Sequence, residues 1–182
     1  TLMRILLGLM QPQSGRLLID GQPIGAATTK AWRNRISAVM QDDYLLSGTL
    51  ADNISFFAEQ PEQQRIEAAA IVARIHDTIM AMPMAYQSLI GDMGNALSAG
   101  QRQRILLARA MYRNPDAIFL DEGTANLDEH NEIAIANMLT KLPVTRVAIT
   151  HRPALVERAD IVLRLEDGKV SIVQNNRALA KS

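Results

Sequence analysis

The order of apolar and polar positions along the chain predicts a series of helices. An apolar run at helical spacing opens the chain, and we expect this helix to end at Pro12 and Gly15. The apolar members of that run are Leu2, Ile5, Leu6 and Leu9. Helix-forming patterns also cover the stretches 28–35, 51–57, 61–75, 98–113 and 129–142. In the stretch 61–75, Pro61 stands where a proline in the first turn is tolerated.

Short apolar runs between these helical stretches predict strands. They cover residues 16–20, 36–40, 117–120 and 146–150. Near the end of the chain, the runs 161–165 and 170–173 predict a hairpin around Asp167 and Gly168. Strands that alternate with helices favour an α/β fold, in which helices cover the faces of a mostly parallel sheet.

Polar side chains follow three of the predicted strands directly. Gln41 follows the strand 36–40, Asp121 and Glu122 follow 117–120, and His151 follows 146–150. Thirty residues separate Asp121 from His151, which is room for one helix and one strand, so we expect His151 at the adjoining strand end. Ligands of open α/β sheets bind at the carboxyl ends of the strands. These residues therefore mark a candidate site.

The neighbouring acids Asp121 and Glu122 have two interpretations. Adjacent residues of an extended chain point to opposite sides, so one carboxylate could hold a water of a cation such as Mg²⁺ while the other faces a reacting water. Two acids at a strand end are also common in a solvated turn. The pair alone does not decide between these interpretations.

A second candidate feature opens the helical stretch 98–113. Ser98 is a natural N-cap residue, and Gln101 stands at the spacing of a capping box. Gly100 leaves room where an anion could approach, and the free amides and positive dipole end of a helix bind phosphate. The simpler interpretation is a well-capped helix without a ligand.

Composition and charge limit the classes of function. The 182 residues are 48% hydrophobic and 21% charged, which is typical of about one globular domain. Lys plus Arg equal Asp plus Glu at 19 each, so no net field attracts nucleic acid, and a phosphate ligand must be bound locally. The absence of cysteine excludes a thiol nucleophile and a cysteine-ligated zinc. No apolar run reaches the roughly 18 residues that span a bilayer.

Together these motifs resemble the nucleotide-binding domain of an ABC transporter. The stretch 97–101, Leu-Ser-Ala-Gly-Gln, resembles the signature sequence of that family, and a basic helix from Arg102 to Ala110 follows it. The stretch 117–121 with Glu122 resembles the Walker B strand and the catalytic glutamate. Three further motifs match in order and spacing: Gln41 as the Q-loop glutamine, residues 125–128 as the D-loop, and His151 as the switch histidine.

The resemblance implies a P-loop NTPase-like ABC ATPase fold with a mostly parallel sheet and a helical subdomain at about 45–112. It implies ATP and Mg²⁺ as ligands, with Glu122 and His151 as catalytic residues and Gln41 and Asp121 at the metal. The residues that it assigns to nucleotide binding are Thr1, Gln41, Ser98, Ala99, Gly100, Gln101, Asp121 and Asp128. It also implies a head-to-tail homodimer, in which ATP lies between one subunit's phosphate loop and the signature of the other.

Some positions depart from the family pattern. Ala99, Gly123 and Asn126 replace residues that are more frequent in the family, and none of these changes removes a charge or acceptor that acts there. The 182 residues contain no phosphate-binding GxxxxGK[ST] loop. We therefore expect residues 1–182 to be a partial domain that lacks its N-terminal strands, with Thr1 just after the missing loop. By itself such a chain is expected to be inactive.

A narrower resemblance concerns the stretch 41–54, which is similar to exporters and most similar to bacterial peptide or bacteriocin exporters. It implies a transmembrane domain in the same polypeptide, a location at the cytoplasmic face of a bacterial inner membrane and no nucleic-acid partner. The stretch 90–94 occupies the place of a loop that exporters use against their transmembrane helices. In that loop, Asp92 and Met93 replace the commoner Glu and Arg.

Two other classes of function remain open at this point. A soluble ABC ATPase of DNA repair or translation shares the signature and Walker B motifs, although chromosome-type members insert a coiled coil that is absent between Gln41 and Leu97. A non-enzymatic binding module could retain only the signature half. Salt-dependent DNA affinity would indicate the first class, and ATP hydrolysis by the complete protein would exclude the second.

Overall fold

The structure is a computed structural model and describes residues 1–90, 97–121, 129–142 and 144–176. Its helices are α1 (Leu2–Leu6), α2 (Thr29–Arg35), α3 (Leu50–Ser55), α4 (Gln63–Val72), α5 (His76–Met80), α6 (Ala99–Tyr112), α7 (Glu129–Lys141) and α8 (Pro153–Glu157). Its strands are β1 (Leu18–Ile19), β2 (Gln22–Pro23), β3 (Ile36–Val39), β4 (Gly48–Thr49), β5 (Leu89–Ile90), β6 (Ala117–Asp121), β7 (Thr145–Ile149), β8 (Ile161–Glu166) and β9 (Lys169–Asn175).

The central sheet is parallel and has three strands in the order β3–β6–β7. Ile36 of β3 pairs with Ala117 of β6, and Asp121 at the end of β6 pairs with Ile149 of β7. The prediction of an α/β fold with a parallel sheet is therefore confirmed. The pairs β1–β2, β4–β5 and β8–β9 are antiparallel.

Strand β6 separates two hydrophobic cores. Side chains alternate across a strand, so Ala117 and Phe119 enter one core while Ile118 and Leu120 enter the other. All four are buried, which explains why the sequence of this strand is continuously apolar rather than alternating.

The first core packs α1 and α2 against one face of the sheet. Met3 and Leu7 of the N-terminal segment contact the same cluster as Trp32 of α2. The Trp32 ring meets Phe119 edge to face at 6.3 Å between centroids, and its Nε1 donates a hydrogen bond of 2.8 Å to the Leu6 carbonyl. This bond fixes α1 to α2.

The second core is larger and lies between the other face of the sheet and helices α3, α4, α6 and α7. Its fully buried side chains include Ile54, Ile66, Ile105 and Ile135. Helix α6 packs against α3, α4 and β3, so it links the helical part of the chain to the sheet.

The first helix differs from its prediction in both length and orientation. It is capped at Leu7 and followed by Gly8 at a φ of +68°, well before Pro12. Its buried residues are Met3 and Leu7, whereas Leu2 and Leu9 are exposed. Apolar residues cover most of this short helix, so the spacing did not identify the buried face.

Other differences are small. Pro61 lies before the N-cap Glu62 of α4 and not in its first turn. Helices α5 and α8 and the two-residue strands β2, β4 and β5 were not predicted, because such short elements leave no periodic pattern. The C-terminal hairpin is confirmed, with Asp167 and Gly168 both at positive φ in its turn. In the part of the chain that the structure describes, no helix is long and apolar enough to cross a membrane.

Candidate functional site

Three predicted site residues lie at the carboxyl edge of the central sheet. Asp121 is the last residue of β6, Gln41 lies two residues beyond β3, and His151 lies two residues beyond β7. Neighbouring strands are about 4.8 Å apart, and β6 lies between the other two, so Gln41 and His151 flank Asp121. The prediction that His151 follows the adjoining strand is confirmed.

Asp121 faces the side of the sheet that α1 covers. It shares the alternation of Ala117 and Phe119, which belong to the core formed with α1. Asp121 is half-buried, whereas Thr1, the exposed residue before α1, is open to solvent. The carboxylate therefore lies on the same face of the sheet as the helix that begins after Thr1.

A tight turn holds Gln41 outside the strand end. The Asp43 carboxylate accepts a hydrogen bond of 2.9 Å from the Met40 amide, and the Asp43 amide donates to the Met40 carbonyl at 3.1 Å. Gln41 is exposed between these residues, so its side chain is available to a ligand. We call residues 40–43 the Gln41 turn.

The segment around His151 is anchored by its neighbours. The Arg152 amide donates to Thr150 Oγ1 at 3.0 Å, and Arg152 Nη1 lies 3.4 Å from Oε2 of Glu132 on α7. The Glu132 side chain is almost completely buried. A buried carboxylate requires a partner, so this ion pair holds the segment against α7 while His151 itself remains exposed.

The tip of α6 is capped as the sequence predicts. Gln101 N donates to Ser98 Oγ at 3.1 Å, and Ser98 N donates to Gln101 Oε1 at 2.8 Å, which completes the capping box. The amides of Ala99 and Gly100 in the first turn have no partner within the helix, and the turn contains no acidic residue. Ser98 is exposed. The tip therefore presents amide donors and a positive dipole end to solvent.

Helix α6 brings this tip towards the same side of the molecule as the strand ends. The helix ends at Tyr112, and β6 begins at Ala117 after a short connection that reverses the chain. A helix that packs back along a parallel sheet has its N-terminus near the carboxyl ends of the strands. Its 14 residues extend about 21 Å, so the tip reaches beyond the strand ends.

The cap provides a first test of the tip. Replacing Ser98 by Ala is expected to lower the free energy of unfolding by about 1 kcal/mol, because the Gln101 amide loses its acceptor. Urea unfolding measures this loss. Ser98→Thr retains the hydroxyl and is expected to stay close to the wild type, so equal losses in both variants would contradict the cap.

The oxygen donors at the strand ends fit Mg²⁺. Gln41 supplies an amide oxygen and Asp121 a carboxylate, both of which are hard ligands. Among the residues that the structure describes, no three His, Cys, Asp or Glu side chains form a cluster.

Several predicted positions lie outside the described residues. They include Glu122, Asp128 and the loop residues 91–94. The sequence did not indicate that Asp43 closes the Gln41 turn, or that Arg109 of the basic helix donates hydrogen bonds to Asn53. An arginine within the apolar pattern of α6 was the available signal, because a partly buried guanidinium requires hydrogen-bond partners.

Comparison with known proteins gives a consistent result. The family model described as "ABC transporter" matches residues 1–125. The chain is 42% identical over 165 residues to the colicin V secretion/processing ATP-binding protein of Escherichia coli. The matched region covers 91% of this chain and 24% of that protein. It is 38% identical over 181 residues to an ATP-dependent lipid A-core flippase of Saccharophagus degradans. Here the matched region covers 98% of this chain and 31% of that protein.

A solved structure extends the similarity to three dimensions. It is described as a bacterial Atm1-family ABC exporter with ATP bound, and it superposes with a TM-score of 0.85 at 30% identity. The match covers 99% of this chain and 32% of that one. The chain thus spans about a quarter to a third of the length of these relatives. Together with the family model, which matches more than half of the residues, the similarity shows that the chain belongs to the ABC transporter family.

Proposed function

We propose that this chain belongs to the ATP-binding and ATP-hydrolysing part of an exporter. The observation that carries the proposal is the meeting of Gln41, Asp121 and His151 at one edge of three parallel strands. An exposed, capped helix tip on the same side of the molecule supports it, because phosphate groups bind at such tips.

Each residue of the site has a distinct role in this proposal. Asp121 and Gln41 hold Mg²⁺, which would neutralise phosphate charge and orient the phosphate groups. Glu122 polarises the attacking water, and His151 contacts the γ-phosphate and stabilises charge in the transition state. The residues assigned to the nucleotide are Thr1, Gln41, Ser98, Ala99, Gly100, Gln101, Asp121 and Asp128.

We further propose that the tip of α6 binds the nucleotide of a second subunit. Ser98 is exposed at the tip, and the amides of Ala99 and Gly100 beside it have no partner within the helix, so these amides are available to a second subunit. Donors from two chains around one triphosphate make dimer closure depend on ATP. Residues 1–182 are then a partial nucleotide-binding domain, with the helical subdomain at about 45–112.

An exposed aromatic surface supports docking to a transmembrane domain of the same polypeptide. This aromatic patch consists of Tyr44, Phe56, Phe57 and Leu89, all of which are exposed. A cleft of about 440 Å³ that includes Phe56 and the basic residues Arg65 and Arg113 adjoins it. Exposed apolar patches commonly mark interfaces. The chain covers at most a third of the length of its exporter-type relatives, so the rest of such a protein is long enough to contain the transmembrane domain that docks on this patch.

The similarity to a secretion protein supports a peptide as the cargo. Identity is higher to the colicin V secretion/processing protein than to the lipid A-core flippase, 42% against 38%. We therefore propose export of a peptide at a bacterial cell membrane, with this domain at the cytoplasmic face.

The complete protein in phospholipid vesicles tests the proposal. We expect phosphate release from ATP that requires Mg²⁺, together with ATP-dependent accumulation of a bacteriocin-class peptide on the opposite side of the membrane. Failure to hydrolyse ATP would contradict the proposed enzyme. Hydrolysis with salt-dependent DNA affinity and no peptide transport would contradict the exporter.

The aromatic patch gives a separate prediction. Tyr44 is 71% exposed, so Tyr44→Asp is expected to change the free energy of unfolding by less than about 0.5 kcal/mol. A charge in the proposed interface with the transmembrane domain should nevertheless reduce peptide transport by at least about tenfold. Vesicle transport assays measure the effect. Ile71→Asp on the exposed face of α4 is the matched control, and an equal loss in that variant would contradict the docking surface.

A further inference from the structure

Arg109 in α6 donates to the segment that follows the Gln41 turn through three separate hydrogen bonds. Its Nε donates to the Asn53 carbonyl at 2.8 Å, and its Nη2 donates to Asn53 Oδ1 at 2.8 Å. Its Nη1 donates to the Tyr44 carbonyl at 3.1 Å. The guanidinium also lies over the Phe56 ring, 5.2 Å from its centroid. Every contact is on the segment 44–56, so Arg109 links α6 to that segment.

Asn53 extends the connection by fixing the loop in front of α3. Its side chain is completely buried, and its Nδ2 donates to the carbonyls of Leu46 at 2.8 Å and Thr49 at 3.0 Å. Its Oδ1 accepts from the Leu46 amide at 2.8 Å as well as from Arg109. Both polar ends of the amide are therefore satisfied, and the loop has one defined conformation.

A charged residue of the Gln41 turn also acts on Arg109. Burial lowers the pKa of its guanidinium below the ordinary value, and the carboxylate of Asp43 partly offsets this effect. Asp43 is the residue that closes the turn beside Gln41. The same carboxylate therefore interacts with both the turn and the half-buried cation.

A half-buried charge at this place has a desolvation cost that an apolar side chain would avoid. Well-packed apolar residues in place of buried ion pairs are often neutral or stabilising, so stability alone does not require an arginine here. A planar guanidinium with three directed bonds does, however, fix the orientation of the groups that it joins. The arrangement therefore favours a role for Arg109 in positioning the groups that it joins rather than in stability.

We propose that Arg109 is a positioning residue that joins the segment 44–56, which directly follows the Gln41 turn, to α6, so that this segment and the capped tip of the helix move as one body. The proposal rests on the proposed function. Tyr44 lies three residues after Gln41, and Arg109 shares a continuous helix with the tip that Ser98 caps. Loss of the link lets the turn shift relative to the tip, and displacements of about 1 Å reduce rates strongly.

The complete protein with Arg109→Met tests the proposal in vesicles. We expect kcat for ATP hydrolysis to fall at least about tenfold, with KM for ATP within about threefold of the wild type, because misplacement affects the reacting geometry more than binding. Arg109→Lys retains the charge and can form one of the three bonds, so its kcat is expected to lie between those of Arg109→Met and the wild type. This variant also keeps the test valid if Arg109→Met does not fold.

Arg146→Met is the matched control. The Arg146 guanidinium likewise joins two elements through backbone carbonyls, donating to Leu139 at 2.7 Å and Leu142 at 2.8 Å, but neither carbonyl belongs to the segment 44–56. We expect a lower melting temperature in this variant with kcat within about twofold of the wild type.

The outcomes separate this proposal from the proposed function. Wild-type kcat in Arg109→Lys and Arg109→Met overturns the positioning role alone, and so does an equal loss of kcat in Arg146→Met. A wild-type protein that does not hydrolyse ATP overturns the proposed function. A selective loss of kcat at Arg109, partly restored by lysine, supports the link.

Discussion

Replacing Glu122 by Gln in the complete protein is expected to reduce ATP hydrolysis at least about a hundredfold while ATP binding is preserved. Glutamine keeps the size of the side chain and one acceptor oxygen but cannot accept a proton from the attacking water, and positioned general bases contribute factors of about 10² to 10⁴. Phosphate release measures the loss, and equilibrium binding of ATP measures what remains. The reason for choosing this residue is its place directly after Asp121 at the end of β6.

A carboxylate at the opposite end of the same strand is the control. Asp116 precedes β6 and pairs with Arg35 at 2.6 Å, and both side chains are largely exposed. Asp116→Asn therefore removes a similar charge far from the carboxyl edge and is expected to leave hydrolysis within about twofold of the wild type. Wild-type hydrolysis in Glu122→Gln would refute the role of Glu122.

A negative charge at the tip of α6 is expected to have a comparably large effect. Gly100→Asp places a carboxylate in the first turn, where no acidic residue is present. Such a residue interacts favourably with the helix dipole, so the melting temperature should be unchanged or higher. The same charge repels a phosphate at the tip, and we expect hydrolysis in the complete protein to fall at least about a hundredfold. Thermal unfolding and phosphate release measure the two effects.

Gly100→Ala separates charge from size. It adds the Cβ without the carboxylate, and we expect a loss of hydrolysis of no more than about tenfold. If alanine were as harmful as aspartate, the effect would be steric. If Gly100→Asp hydrolysed ATP at the wild-type rate, the tip would not contact phosphate.

Local patterns predicted the elements that carry the candidate site. The run 117–120 is apolar throughout because both faces of β6 are buried, and Asp121 ends the run where the sheet meets solvent. The Ser98 and Gln101 spacing predicted a cap whose hydrogen bonds are local to one turn. Such features depend on neighbouring residues, so the sequence contains enough information to place them.

Features that depend on distant residues could not be predicted in the same way. The order β3–β6–β7 places Gln41 beside Asp121, although the two residues are 80 positions apart in the sequence. The bonds from Arg109 to Asn53 join residues 56 positions apart, and neither residue has a local pattern that indicates its partner. The buried face of α1 was missed because contacts with Trp32 determine it, not the spacing of the leucines.

The pairing of β3 with β6 has a consequence for synthesis on the ribosome. Ile36 of β3 can pair with β6 only after Ala117 has been synthesised, 81 residues later. Translation at about 5 to 20 residues per second makes this delay roughly 4 to 16 s. During that interval the nascent β3 lacks β6, the parallel neighbour that it has in the described sheet, so binding by a chaperone at this stage is expected to raise the yield of correctly assembled protein.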